Sequence, residues 1–184
     1  MIGAMNTNRL LYGKLATATL TAVATSAAAV ATWGASAGAA PVPHLAAVRH
    51  CLVNQLRISI TPGSPGAGQR YATITLTNKS KVACTVKGYV GLSLVAANGK
   101  RLPTKAVRES LNQAVRWTLA PGIQATEQLQ WTVVGGSGRC VNNAARLLVT
   151  PPNNYSFSVL PWKLGSVCQN ARITEQPLTV VRAR

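Results

Sequence analysis

Between Tyr71 and Leu94 the chain runs with a period of two, and that period decides what it can fold into. Ala72, Ile74 and Leu76 alternate with Tyr71, Thr73, Thr75 and Thr77, which sends one set of side chains to a buried face and the other toward solvent. After Asn78-Lys79-Ser80-Lys81, the residues Val86, Val90, Leu92 and Leu94 share the parity of Cys84. That cysteine is therefore aimed at a core.

Cysteine use narrows the fold further. Cys51, Cys84, Cys140 and Cys168 are an even set separated by 33, 56 and 28 residues, which predicts two disulfides in an exported chain. No C-x-x-C pair exists and the spacings are wide, so no metal or other cofactor is expected. Residues 1–39 read as an export signal: Arg9 and Lys14 form a positive start, an Ala/Thr-rich run extends from Leu15 to Trp33, and Ala35-Ser36-Ala37 offers a cleavage site. An uncleaved anchor is the weaker reading, because the run is poor in large apolar residues. Val48-Arg49-His50 precedes Cys51 where a lipid-attachment motif would need small residues. Residues 40–50 then form a short arm and 51–184 a single domain, secreted or associated with the cell envelope.

Along that domain, Leu52, Leu56, Ile58 and Ile60 predict a first strand from Cys51 to Ile60, and TPGSPGAG from Thr61 to Gly68 a loop. The second strand is the one from Tyr71 to about Asn78. A third spans Cys84 to Val95, with Gly88 or Gly91 marking a bulge, and ends at Asn98-Gly99, a strong hairpin signal. Val115, Trp117 and Leu119 predict a fourth. Pro121-Gly122 turns the chain into a fifth, where Glu127 shares the inner parity of Ala125, Leu129 and Trp131.

Gly135 to Gly138 reads as a loop, with no helix start behind it to make a phosphate cradle. Ala145, Leu147 and Val149 predict a sixth strand, Tyr155, Phe157 and Val159 a seventh, and Leu178 to Arg182 a short last one. Short strands with frequent turns and no helical period indicate an all-β, antiparallel two-sheet sandwich. If strands one and two pair antiparallel, Cys51 lies beside the turn carrying Cys84; the same reasoning for strands six and seven joins Cys140 to Cys168. Each bridge closes a loop of roughly 30 residues, for about 3 to 4 kcal/mol apiece in the chain-entropy account.

As an ordered set, the leading cysteine, Thr77-Asn78, Cys84-Thr85-Val86, Gly88-Tyr89, Leu119-Ala120-Pro121-Gly122, Leu129 with Trp131, Cys140 and Val149-Thr150-Pro151-Pro152 resemble a family of exported actinobacterial four-cysteine domains of unknown function (DUF 4232). The resemblance covers nearly all of residues 51–184. It implies an immunoglobulin-like sandwich and brings no catalytic or binding residues with it. Many relatives are lipoproteins or carry a linker after the signal; this chain shows no lipobox and has little linker.

The inventory for catalysis is thin. There is no Asp, the only histidines are His44 and His50 in the arm, and the three glutamates, Glu109, Glu127 and Glu175, are far apart in sequence. A non-enzymatic protein is expected, since general acid–base and nucleophilic mechanisms need groups that titrate near neutrality or an activated nucleophile. Asn78-Lys79-Ser80 and Asn154-Tyr155-Ser156 match the glycosylation pattern but coincide with expected turns, and Trp162 beside Lys163 is expected to pack over a core edge.

Charge is the remaining signal. Without Arg9 and Lys14, seventeen Lys and Arg face three glutamates, a net +14, which favours anionic company. The densest basic segment holds Lys100, Arg101, Lys105 and Arg108. At about 1 kcal/mol each beside an anionic membrane, these four give only about millimolar binding. Useful adhesion to anionic wall polymers or lipid headgroups would recruit Lys79, Lys81 and Lys87 as well. The same charge also serves solubility alone. The alternative function is a protein-interaction domain with incidental charge; specific nucleic-acid recognition is not expected, for want of any known motif.

Overall fold

The computed structural model describes residues 47–109, 111–136 and 138–180. The expected export signal, His44 and the final residues 181–184 lie outside them. The described residues form eleven strands: β1 (Leu56–Pro62), β2 (Gln69–Asn78), β3 (Cys84–Lys87), β4 (Gly91–Ala96), β5 (Lys105–Arg108), β6 (Arg116–Leu119), β7 (Gln124–Thr132), β8 (Ala144–Thr150), β9 (Ser158–Pro161), β10 (Arg172–Glu175) and β11 (Thr179–Val180). The fold is all-β. One sheet runs β1-β2-β7-β10-β5 with β11 also on β7, a second is β3-β6, and a third is β4-β8-β9.

All three sheets bury their inner faces in one core. β2 and β7 contribute Ile74, Leu76, Ala125, Leu129 and Trp131, β3 and β6 contribute Val86 and Leu119, and β4, β8 and β9 contribute Leu94, Leu147, Val149 and Leu160. Cys51 bonds to Cys84 and Cys140 to Cys168, as the order of the strands predicted. The first bridge has a backbone counterpart: Cys51 N–H donates to Thr85 O at 2.9 Å and Thr85 N–H to Arg49 O at 2.8 Å. The end of the expected arm is thus laid along β3, with His50 bridged to Thr85.

Several elements depart from the sequence expectation. A 3-10 turn over Val53–Gln55 interrupts the first strand, so Leu52 is exposed while Leu56 starts the buried parity. The third strand is two, because Gly88 adopts φ 101°, a conformation other residues resist; β3 then joins β6 and β4 joins β8. The Asn98-Gly99 turn closes, with Gly99 N–H donating to Ala96 O at 3.0 Å, but only Val95 and Arg101 bridge beyond it.

The basic segment that follows leaves for the large sheet as β5, an unpredicted strand that pairs parallel with the equally unpredicted β10. That pairing breaks the expected all-antiparallel pattern. In the seventh strand the inward residue is Leu160, opposite Leu147. Tyr155, Phe157 and Val159 are exposed, because the ladder to β8 fixes the opposite parity. After Cys168, Gln169, Asn170 and Ala171 form a left-handed turn, held by Asn170 N–H to Arg139 O at 2.9 Å.

Candidate functional site

Of the fifteen arginines and lysines among residues 47–180, fourteen are exposed and Arg70 is half-buried. Two of the three glutamates take the opposite course: Glu127 and Glu175 are 0% and 1% exposed, which leaves Glu109 as the one surface carboxylate side chain among the described residues. The exterior is therefore more uniformly cationic than composition alone conveys. Like charges even stand opposite one another across strands, Lys87 with Arg116 and Lys105 with Arg172. Such pairs are destabilising by themselves.

The seven cations singled out in the sequence do not form one cluster. Lys79 and Lys81 follow Asn78, beyond the point where Thr77 pairs with Gln124. Lys105 pairs with Arg172, two residues before Thr174, whose partner is Gln130. The eight residues of β7 between those levels separate the two sites by about 26 Å along the strand. Lys87 ends β3. Lys100 and Arg101 flank the β4 turn, where Arg101 donates to Ser93 Oγ at 3.2 Å and its guanidinium lies 5.8 Å from the Phe157 ring centre. Arg108 sits 5.2 Å from the Tyr89 ring centre.

Arg108 also faces the two buried acids. Glu175 is the partner of Leu129 on β7, two residues from Glu127 on the same inward face, so the two glutamates are diagonal neighbours, their backbones about 7 to 8 Å apart. Glu127 Oε2 accepts the Val90 N–H at 2.9 Å, while Oε1 of each glutamate is buried without a partner. Burial, and then the charge of Glu175, push the Glu127 pKa up to about 9, against the pull of the Val90 N–H and Arg108. Burial lifts Glu175 to about 7, opposed by Arg108. At neutral pH Glu127 holds its proton. Neither side chain lines any of the clefts described here.

The largest of these clefts, 430 Å³, opens where the β1–β2 loop meets the segment after β9. Its residues are brought together by register and by two indoles. Arg70 shares the inward parity of Ala72, Ile74 and Leu76 and pairs with Trp131, so it points along the core face at the open end of the sheet. Trp131 and Trp162 are both buried, their ring centres 5.1 Å apart. Trp131 Nε1 donates to Ser166 O at 3.1 Å and Trp162 Nε1 to Gly165 O at 2.8 Å, which fixes the loop carrying Lys163.

On the other wall, Gly63 N–H donates to Tyr71 O at 2.8 Å. A Cβ on Gly63 would lie 3.0 Å from the Tyr71 Cβ, so any larger residue there must push the two strands' ends slightly apart. Trp162 is a packed anchor, as expected, and the exposed partner of interest is Lys163. Sequence reasoning passed over Arg70, although its parity with Ala72 marked it as an arginine facing inward.

A smaller cleft, 280 Å³, on the outer face of β4-β8-β9 is lined by Arg101, Arg146, Phe157 and Val159 among others. Both sequon asparagines are structural. Asn78 is fully buried and its Nδ2 donates to Val82 O and Leu119 O, each at 2.8 Å. Asn154 donates to Cys51 O at 2.8 Å.

These features define a small all-β domain stapled by two disulfides, with a cationic exterior. The chain belongs to the family Domain of unknown function (DUF4232), whose family model matches residues 51–180, from the first disulfide cysteine to the last described strand. No curated protein and no solved structure matches it. Among the described residues no helix is long and apolar enough to cross a membrane. The two disulfides are compatible with an extracellular protein.

Proposed function

We propose that the chain is a secreted or envelope-associated, non-enzymatic binding module that adheres through charge to anionic polymers or lipid headgroups. The observation that carries this reading is the segregation of charge: among the described residues fourteen exposed cations face one half-buried carboxylate, Glu109, with two glutamates removed to the interior. Repelling pairs such as Lys105 with Arg172 gain from a multivalent anion what the protein's own acids do not supply. Because Lys79 and Lys105 lie at opposite ends of the large sheet, the reading favours an extended polymer or a membrane surface over a small ion at these positions.

The test is retention of the folded domain on immobilised polygalacturonate, on polyphosphate and on vesicles with and without phosphatidylglycerol. We expect strong retention at low salt and release at about 1 M, where the screening length falls to about 3 Å. Equal retention at both salt levels overturns the proposal.

A second reading, a protein-interaction domain, is favoured by one observation. Tyr155, Phe157 and Val159 stand exposed at 103%, 44% and 53% beside the third sheet. Capture of one protein partner that survives high salt and is lost on Phe157→Ser would support it over adhesion.

A further inference from the structure

The cleft beside Trp131 is built differently from the rest of the cationic surface. We infer that it is a preformed pocket for a single ring-borne anion, a carboxylate or phosphate carried on a sugar-sized ring, held by Arg70 and Lys163. This rests on the anion-binding reading above and narrows it to one site and one ligand class.

Volume and lining set the size of the guest. At 430 Å³ the cleft falls within the range typical of small-molecule sites. Pro62, Pro65 and Leu164 give it apolar walls, with Tyr71 and Trp131 adding ring surface. A bare inorganic ion would leave those walls wet and uncovered.

Charge sets the sign of the guest. A guanidinium carries five N–H donors, yet the hydrogen bond recorded for Arg70 is a long one, 3.4 Å from NH1 to the carbonyl of its own neighbour Gln69. The inward register position half-buries this side chain, and none of the three glutamates lines the cleft. The planar fork of arginine matches carboxylate and phosphate oxygens in pairs, and Lys163 adds a second charge at the rim. Both walls are already in place: the indole N–H groups hold the Lys163 loop, and prolines stiffen the facing loop. Little ordering remains to be done on binding.

Calorimetric titration of the disulfide-bonded chain with glucuronate, glucose 1-phosphate, inorganic phosphate and glucose tests this. The two ring anions should bind saturably and about tenfold or more tighter than phosphate or glucose, a gap of about 1.4 kcal/mol. Arg70→Gln and Lys163→Gln should each weaken ring-anion binding by about tenfold, with thermal unfolding unchanged. A Lys79→Gln/Lys81→Gln variant, altered at the far end of the sheet, should bind as the unaltered chain does.

Trigalacturonate binding as tightly as galacturonate identifies a polymer end as the source, and binding of the monomer alone identifies the free acid. Ring anions that do not bind, that bind no better than phosphate, or that ignore Arg70→Gln overturn the inference. Failure here with salt-sensitive polymer retention intact removes the pocket and leaves the surface reading. Salt-insensitive retention with Arg70-dependent binding does the reverse.

Discussion

At the scale of single residues, the buried acids deserve more weight than their number suggests. A glutamate in the unfolded chain loses its proton near the ordinary value of 4.5, whereas folding holds Glu175 protonated up to about 7 and Glu127 up to about 9. Between those limits the folded state binds more protons than the unfolded one, so stability is fully present below 4.5 and falls as pH rises toward 9. Glu127→Gln keeps an acceptor for the Val90 N–H and removes the titration. We expect its melting temperature to exceed that of the unaltered chain at pH 9 and to match it near pH 4, measured by circular dichroism. Two melting curves that stay parallel across this range would sink the idea. The inward parity of Glu127 was legible in the sequence. Its neighbour Glu175 was not, because β10 pairs with β5 and β7 through long-range register that no local pattern announces.

At the scale of elements, the β2–β3 turn hangs on Asn78. Besides its two bonds to Val82 and Leu119, its Oδ1 accepts from Ser80 N and Ser80 Oγ at 2.9 and 2.7 Å. Asn78→Ala removes the donor to the buried Leu119 carbonyl and should cost about 1 to 3 kcal/mol, read from urea unfolding; a loss below about 0.5 kcal/mol, the size of an ordinary surface change, would contradict this account of the turn. Strands with clean alternation, such as β2 and β7, could be read from the sequence. β5 could not, because Lys-Ala-Val-Arg carries no apolar alternation and becomes a strand only when β10 offers a ladder. Which face of β9 turns inward was hidden for a related reason: Tyr155 and Phe157 look like core residues until the pairing of Leu160 with Leu147 sets it. The candidate cleft was equally hidden, since Arg70 at the start of β2 and Lys163 in the segment after β9 come to line one cleft only through long-range folding.

On the scale of the whole molecule, one bridge closes a loop near the start of the described chain and the other a loop toward its end. Replacing Cys51 and Cys84, or Cys140 and Cys168, by serine should each cost about 3 to 4 kcal/mol. Removing both should leave the domain largely unfolded, because net stabilities are only about 5 to 15 kcal/mol. Retention of the native far-ultraviolet spectrum and a cooperative melt in the four-serine variant would refute that expectation. The staples and the core explain how a chain so unevenly charged stays folded despite its self-repulsion.

One edge of the large sheet is β5, bearing Lys105 and Arg108. An open edge is an invitation for a second chain to add itself, and here the invitation is withdrawn by charge, since a copy approaching strand to strand meets its own sign. Molecules crowded on an anionic support would space themselves out as a layer of separate units, each keeping its neighbours at arm's length.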